Sequence, residues 1–294
     1  MENNQLNHVQ IKSCFDGKMQ NAYFYPASGA EKKPLVVSLH QWSFDYRHAA
    51  DPSSLADRAV SENWNFIYPD FRGANNNPEA CLSEAAIHDI DDAIDYALEN
   101  GNADRKKIVV AGVSGGGMAA LGAYMRSSYD LFYCMAWCPV CNLEDWYFQT
   151  KRAGLKYWKE VMNVTGSNGS PDTAQARKRS PLFMDVPQRP DTLLELFTGI
   201  NDGYTGSVPV LHLIQFYNKI AKHMNAAGND FISDADTISL LSRSINDDLC
   251  DEYLGDRKVL YKKSFKNICM RIFDGTHEIL SEYAFARIRD ICRG

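Results

Sequence analysis

The run Lys107-Ile108-Val109-Val110-Ala111-Gly112-Val113-Ser114-Gly115-Gly116-Gly117-Met118-Ala119-Ala120 constrains this chain more than any other stretch. An apolar, strand-forming segment meets Gly112-Val113-Ser114-Gly115-Gly116, and a helical segment rich in Ala, Leu and Met follows without a linker. A serine in a G-x-S-x-G frame between strand and helix reads as a nucleophile elbow. So tight a turn strains the serine backbone, and its neighbours must be small for strand and helix to approach. The turn lifts the Ser114 hydroxyl clear of the sheet and aims the first helical N–H groups, at the positive end of the helix dipole, toward whatever the serine attacks. A phosphate-cradling turn would show G-x-G-x-x-G, or a Lys after the glycines, and neither is present.

The rest of the chain alternates strand and helix signals. Val9 to Ser13 and Gln20 to Tyr25 read as a hairpin around Asp16-Gly17. Pro34 to His40, Trp64 to Tyr68, Ile108 to Ala111, Leu131 to Trp137, Thr192 to Thr198 and Ile268 to Phe273 read as strands, most of them continuously apolar. Helices are expected from Asp51-Pro52, from Ser83 to Glu99 ahead of Gly101, after Ser114, from Val208 to Ala227, near Asp236 to Ser242, and from His277 to Ile291. This rhythm predicts an α/β fold: a mostly parallel sheet with helices on both faces, in one domain over residues 1–294. Two stretches break it. Residues 143–190, aromatic and basic at the start, read as a helical cap over the catalytic edge, and residues 228–262 as a second insertion.

Composition narrows the function. A net charge of −6 argues against nucleic acid as a partner, and there is no uncharged apolar run of membrane-spanning length. Met1-Glu2-Asn3-Asn4-Gln5 lacks the basic start and apolar core of a secretory leader. The sequence as it stands reads as cytoplasmic, or as periplasmic or secreted if a leader has been removed. Eight cysteines in 294 residues are too sparse for a disulfide framework. Trp137-Cys138-Pro139-Val140-Cys141, with Cys134 before it, invites a redox or zinc reading. It falls after a strand rather than at the start of a helix, and no second cysteine pair lies at zinc spacing, so these cysteines read as small buried hydrophobes. No cofactor and no metal are expected.

A serine hydroxyl needs a base, and the base an orienting carboxylate. Behind an elbow of this kind the acid and then the histidine follow the serine in the chain. His8, His40, His48 and His88 precede Ser114, and His212 and His223 fall inside an expected helix. His277, in the loop Phe273-Asp274-Gly275-Thr276-His277 after a late strand, is the base this order selects. Asp202, in Gly199-Ile200-Asn201-Asp202-Gly203, occupies the loop after the preceding strand; Asp274, three residues from His277, is better placed to shape its loop. The oxyanion donors expected are the Gly115 amide and one from His40-Gln41-Trp42-Ser43, with Trp42 ahead of Gln41.

These residues resemble a known family. Leu35 to His40, Tyr68-Pro69-Asp70-Phe71-Arg72-Gly73, Gly112 to Gly116, Ser180-Pro181-Leu182, Gly199 to Asp202 and Gly275 to Glu278 together resemble α/β-hydrolases of the prolyl oligopeptidase-like and acetylxylan-esterase-like group over most of the chain. The resemblance maps a Ser-Asp-His triad onto Ser114, Asp202 and His277. Two departures stand out: a longer Gly-Tyr-Thr-Gly-Ser loop between Asp202 and Val208, and a helical insertion before the last strand. With no β-propeller ahead of the catalytic residues, the resemblance implies a serine esterase acting on acylated or methyl-esterified carbohydrate. The alternative is a serine peptidase of prolyl oligopeptidase type for short peptides. Trp146 and Tyr204, with Trp42, are expected to offer ring faces to substrate, and Arg72 to meet a substrate carboxylate.

Overall fold

The opening hairpin forms where the alternation and the Asp16-Gly17 turn place it. Strand β1 (Asn7–Lys12) pairs antiparallel with β2 (Met19–Tyr25), and Gly17, at φ 77°, returns its N–H to the Ser13 carbonyl. The computed structural model describes residues 5–245 and 250–294. Beyond the hairpin come β3 (Lys33–Leu39), β4 (Asn65–Pro69), β5 (Ala103–Val113), β6 (Tyr133–Trp137), β7 (Leu193–Gly199), β8 (Tyr253–Leu254), β9 (Arg257–Phe265) and β10 (Ile268–Phe273). They form one ten-stranded sheet in the order β1-β2-β4-β3-β5-β6-β7-β10-β9-β8. The strands from β4 to β10 run parallel, and the hairpins β1-β2 and β8-β9 close the two ends antiparallel.

The central strands are buried on both faces, and their pleat divides the core in two. Ile108 and Val110 join one apolar cluster with α2 (Glu84–Asn100), α3 (Gly115–Arg126) and α7 (Leu211–His223). Val109, Ala111 and Val113 join the other, with α1 (Ala56–Ser61) and α9 (Ser281–Arg293). Helix α2 starts where its signals sit: the Ser83 side chain accepts the Ala86 N–H, and Ile87, Ile90 and Ile94 are buried on one face.

Residues 143–190 hold α4 (Leu143–Arg152), α5 (Tyr157–Val164) and α6 (Thr173–Lys178). Asn142 caps α4 by accepting the Glu144 N–H at 3.0 Å. The second stretch differs from the expected insertion. It contains α8 (Asp234–Ser242), but β8 and most of β9 also fall within 228–262 and extend the sheet beyond β10. Residues 246–249 of that stretch lie outside the described residues. Strand β9 alternates Tyr261 and Phe265 with lysines, as an edge strand does, and that charge hides its strand character in the sequence. Among the described residues no helix is long and apolar enough to cross a membrane.

Candidate active site

The carboxyl ends of the parallel strands meet along one edge, where sites in open α/β sheets form. Ser114 follows β5 with φ 59° and ψ −121°, a conformation that L-residues rarely adopt and that stores on the order of 1–3 kcal/mol. The surrounding glycines make it possible. A Cβ on Gly112 would lie 2.4 Å from the Gly116 carbonyl carbon, and one on Gly116 would lie 2.0 Å from the Leu39 carbonyl oxygen. Any side chain at either position would force helix, strand and oxyanion loop apart. The Ser114 N–H donates to the Trp137 carbonyl at 2.9 Å, which fixes the turn to the end of β6.

Asp202 and His277, 75 residues apart, meet in a 2.7 Å contact between Asp202 Oδ2 and His277 Nδ1. The carboxylate is itself held, because Oδ1 accepts the Gly203 N–H at 2.9 Å and the Val208 N–H at 3.0 Å. Its side chain is fully buried, whereas that of His277 is 20 % exposed. Burial works against a charged imidazole here. The hydrogen bond to Asp202 and the adjacent Cys138 thiol more than offset it, so the His277 pKa stands well above 6.5. The Ser114 hydroxyl is partnered by none of the described residues, His277 included. Serine–histidine contacts of this kind are often long until substrate fills the site. The Trp137-Cys138 segment links the two: Trp137 O holds Ser114, and the next residue lies beside the imidazole.

The loop after β3 lies against the elbow. Gly115 packs directly on Trp42, so that a Cβ there would lie 2.5 Å from the Trp42 backbone nitrogen. The Trp42 amide N–H finds no acceptor among the described residues, and the Gly115 N–H is in the unpaired first turn of α3. Two unpaired amides thus lie close to each other next to Ser114. Gln41 does not share this position, since its side-chain amide turns away to Ser53 Oγ at 3.0 Å.

Two expected substrate contacts, Arg72 and Trp146, are corrected. Arg72 is 8 % exposed, and its guanidinium binds Asp89 Oδ2 at 2.5 Å, Asp16 Oδ2 at 2.8 Å and Ser13 Oγ at 2.9 Å. With its donors taken up by two carboxylates, it ties the β4 loop to the hairpin and to α2. Trp146 is fully buried; its indole N–H donates to the Ser207 carbonyl, and its ring stacks on Tyr157 and meets Trp42 edge-on. Tyr204 is exposed, but its hydroxyl bonds the Leu241 carbonyl and Arg243 stacks 3.8 Å above its ring. These rings pack the cap and the acid loop.

Three other residues lie at the site without having been expected there. Gly206 lies so close to the acid–base pair that a Cβ would stand 2.3 Å from Asp202 Oδ1 and 2.5 Å from His277 Cβ. The long Gly-Tyr-Thr-Gly-Ser loop is therefore folded against the pair. Glu160 on α5 accepts the Trp42 indole N–H at 2.6 Å and joins the cap to the oxyanion loop. Cys138 is buried and free, with its thiol pushed up by burial and by the Asp202 charge. Cys134 and Cys141 do not gather around it; their thiols bond the Ala120 and Pro139 carbonyls. Ligand atoms of Cys138, Asp202 and His277 all lie within 4.8 Å of one another, and among the described residues this is the one group of metal-ligating side chains so closely placed.

Comparison with known proteins adds to this geometry. The sequence profile described as "Prolyl oligopeptidase family" matches residues 59–232. No curated protein sequence matches the chain. Among solved structures, the acylaminoacyl peptidase of Pyrococcus horikoshii superimposes with a TM-score of 0.56 at 18% identity, covering 75% of this chain and 35% of that one. Prolyl oligopeptidase B from Galerina marginata gives 0.59 at 16% identity, covering 81% and 36%. A puromycin-hydrolyzing peptidase of Mycobacterium tuberculosis gives 0.55 at 17% identity, covering 74% and 33%. The chain spans about a third of the length of these proteins. At these identities the likeness is one of fold.

Proposed function

As this chain belongs to the prolyl oligopeptidase family, a family of serine hydrolases, we propose that it cleaves short peptides or acylated amines by a Ser114-His277-Asp202 triad. The observation that carries the reading is the 2.7 Å Asp202–His277 contact at the same sheet edge as the strained elbow serine. In this reaction His277 Nε2 takes the Ser114 proton as Oγ attacks the carbonyl carbon. The Gly115 and Trp42 amides receive the developing oxyanion. Asp202 holds the ring with its proton on Nδ1 and stabilises the imidazolium. The imidazolium then protonates the departing amine, and water, deprotonated by the same ring, releases the acyl group.

Two observations favour peptide over decorated carbohydrate. Two of the three rings expected to stack on sugars, Trp42 and Trp146, are buried, and Arg72 is unavailable to a uronate. The three structural neighbours are named as peptidases. Esters leave more readily than amides from the same intermediate, so activated esters serve as convenient reporters without being the intended substrate.

Labelling with a fluorophosphonate probe, abolished in Ser114→Ala, tests the nucleophile. Parallel rates on aminoacyl and N-acylaminoacyl amides, short peptides, and acetylated, methyl-esterified or feruloylated oligosaccharides test the substrate class. Amide cleavage exceeding release from every carbohydrate ester supports the proposal. Release of acetate, methanol or ferulate without amide cleavage overturns it.

A further inference from the structure

Cys138 has no place in the reaction just described, yet its sulfur lies beside the groups on which that reaction depends. We propose that Cys138, Asp202 and His277 form an inhibitory site for a soft or borderline divalent cation of the Zn²⁺ or Cd²⁺ class. The inference rests on the triad reading for its consequence, though not for the site itself.

The donor set is one sulfur, one imidazole nitrogen and one carboxylate oxygen, the mixture that such cations accept. In a tetrahedral Zn²⁺ site, bond lengths of about 2.0–2.3 Å place neighbouring ligand atoms roughly 3.4–3.6 Å apart. The three atoms here lie within 4.8 Å of one another, and the Asp202–His277 pair is already in contact at 2.7 Å, so movements of up to roughly 1.5 Å bring them to bonding distance. The surroundings already orient two of the ligands. Asp202 Oδ1 is pinned by the Gly203 and Val208 amides, leaving Oδ2 directed at the imidazole. Cys138 is held at the end of β6 by its N–H, which donates to the Phe197 carbonyl at 2.7 Å. A cavity of about 180 Å³, lined by Asp202, Gly203, Tyr204, Pro209, Val210 and Leu241, adjoins the acid loop. A fourth position is left for water.

Binding is balanced by proton release. The Cys138 thiol loses its proton to solvent as the metal–sulfur bond forms, a charged His277 ring releases one proton as its nitrogen binds, and the carboxylate coordinates without a proton change. Either mode of imidazole ligation stops catalysis. At Nε2 the metal occupies the lone pair that would take the serine proton. At Nδ1 it displaces the proton shared with Asp202, the ring proton moves to Nε2, and Nε2 can no longer act as a base.

Cd²⁺ titrated into the full chain tests the site through the ultraviolet thiolate-to-cadmium charge-transfer band, with Cys138→Ala and Cys138→Ser as variants. The expected result is a saturable band that both variants lose, and half-inhibition of ester turnover that rises at least about tenfold in them. Subtraction of the variant signal removes any contribution from the exposed Cys14, whose sulfur lies 3.6 Å from His88 Nδ1. Should the variants not fold, fluorophosphonate labelling of the unmodified chain decides: Cd²⁺ that forms the band must block labelling, and labelling that proceeds at full band intensity overturns the proposal. A band of undiminished intensity in a folded variant, or no band at all, also overturns it. A band that Cys138→Ala removes, in a chain that hydrolyses nothing, leaves the metal site standing and refutes the hydrolase reading.

Discussion

Gly206 touches the carboxylate of Asp202: a single methyl group at position 206 would come within 2.3 Å of Oδ1, and within 2.5 Å of His277 Cβ. Neither neighbour has room to yield, because Oδ1 is fixed by two backbone amides and the imidazole by the carboxylate. Gly206→Ala is expected to shift the ring by a fraction of an ångström to an ångström and to lower kcat by about 10², the scale of such misplacements. Steady-state kinetics on an activated ester checks this; an unchanged kcat refutes the role given to the loop.

The oxyanion pair makes a second steric prediction. A Cβ at Gly115 would stand 2.5 Å from the Trp42 nitrogen and push apart the two amides proposed to receive the negative charge. Gly115→Ala should reduce kcat by about 10²–10³ with a smaller effect on KM. Loss of KM alone would place the oxyanion donors elsewhere.

Glu160 reaches the same loop from the cap. Its carboxylate accepts the Trp42 indole N–H at 2.6 Å, and the indole packs edge-on against Trp146. Glu160→Ala leaves that N–H without its partner and should destabilise the fold by about 1.5–3 kcal/mol. Glu160→Gln keeps an acceptor and should recover most of the loss. Denaturant midpoints of the two variants measure the difference.

Arg72 and Asp89 form an ion pair with side chains only 2 % and 1 % exposed. Removing the guanidinium leaves a buried carboxylate with no cation, which typically costs about 3–5 kcal/mol. Arg72→Ala should lower the unfolding midpoint sharply and leave the ratio of rates on acidic and neutral substrates unchanged. A selective loss on acidic substrates would restore Arg72 to the substrate site.

The pH dependence follows from His277. Its pKa is raised well above 6.5, and the base must be neutral to take the serine proton. The acid limb of kcat/KM therefore lies above 6.5, and activity falls as the pH drops through that raised value. Stability runs the other way: the increment from the protonated ring is full below the unfolded-state value and is lost as pH rises through the folded one. Asp202→Asn should move the limb down and cut kcat by about 10⁴. A limb at or below 6.5 in the unmodified chain would contradict this electrostatic arrangement.

Local chemistry made much of this legible in the sequence. The elbow announces itself because strand, turn and helix lie within one short run whose glycines have a steric cause. Apolar runs identify the central strands because both their faces are buried, and Ser83 and Asp51 mark helix starts because caps act on adjacent amides. Chain order directs attention to Asp202 and His277, which the fold brings to 2.7 Å.

Tertiary structure alone decided what each side chain faces. Trp146 and Arg72 have the residue types of a binding site, but packing turns one ring into the cap and closes two carboxylates around one guanidinium. Strand β9 is charged like a loop because it pairs on one side with β10 and on the other only with the two residues of β8. The placement of Gly206, Cys138 and Glu160 beside the triad and its oxyanion loop depends on contacts between residues far apart along the chain. Such contacts leave no local pattern, because they are set by how the whole sheet and its cap close together.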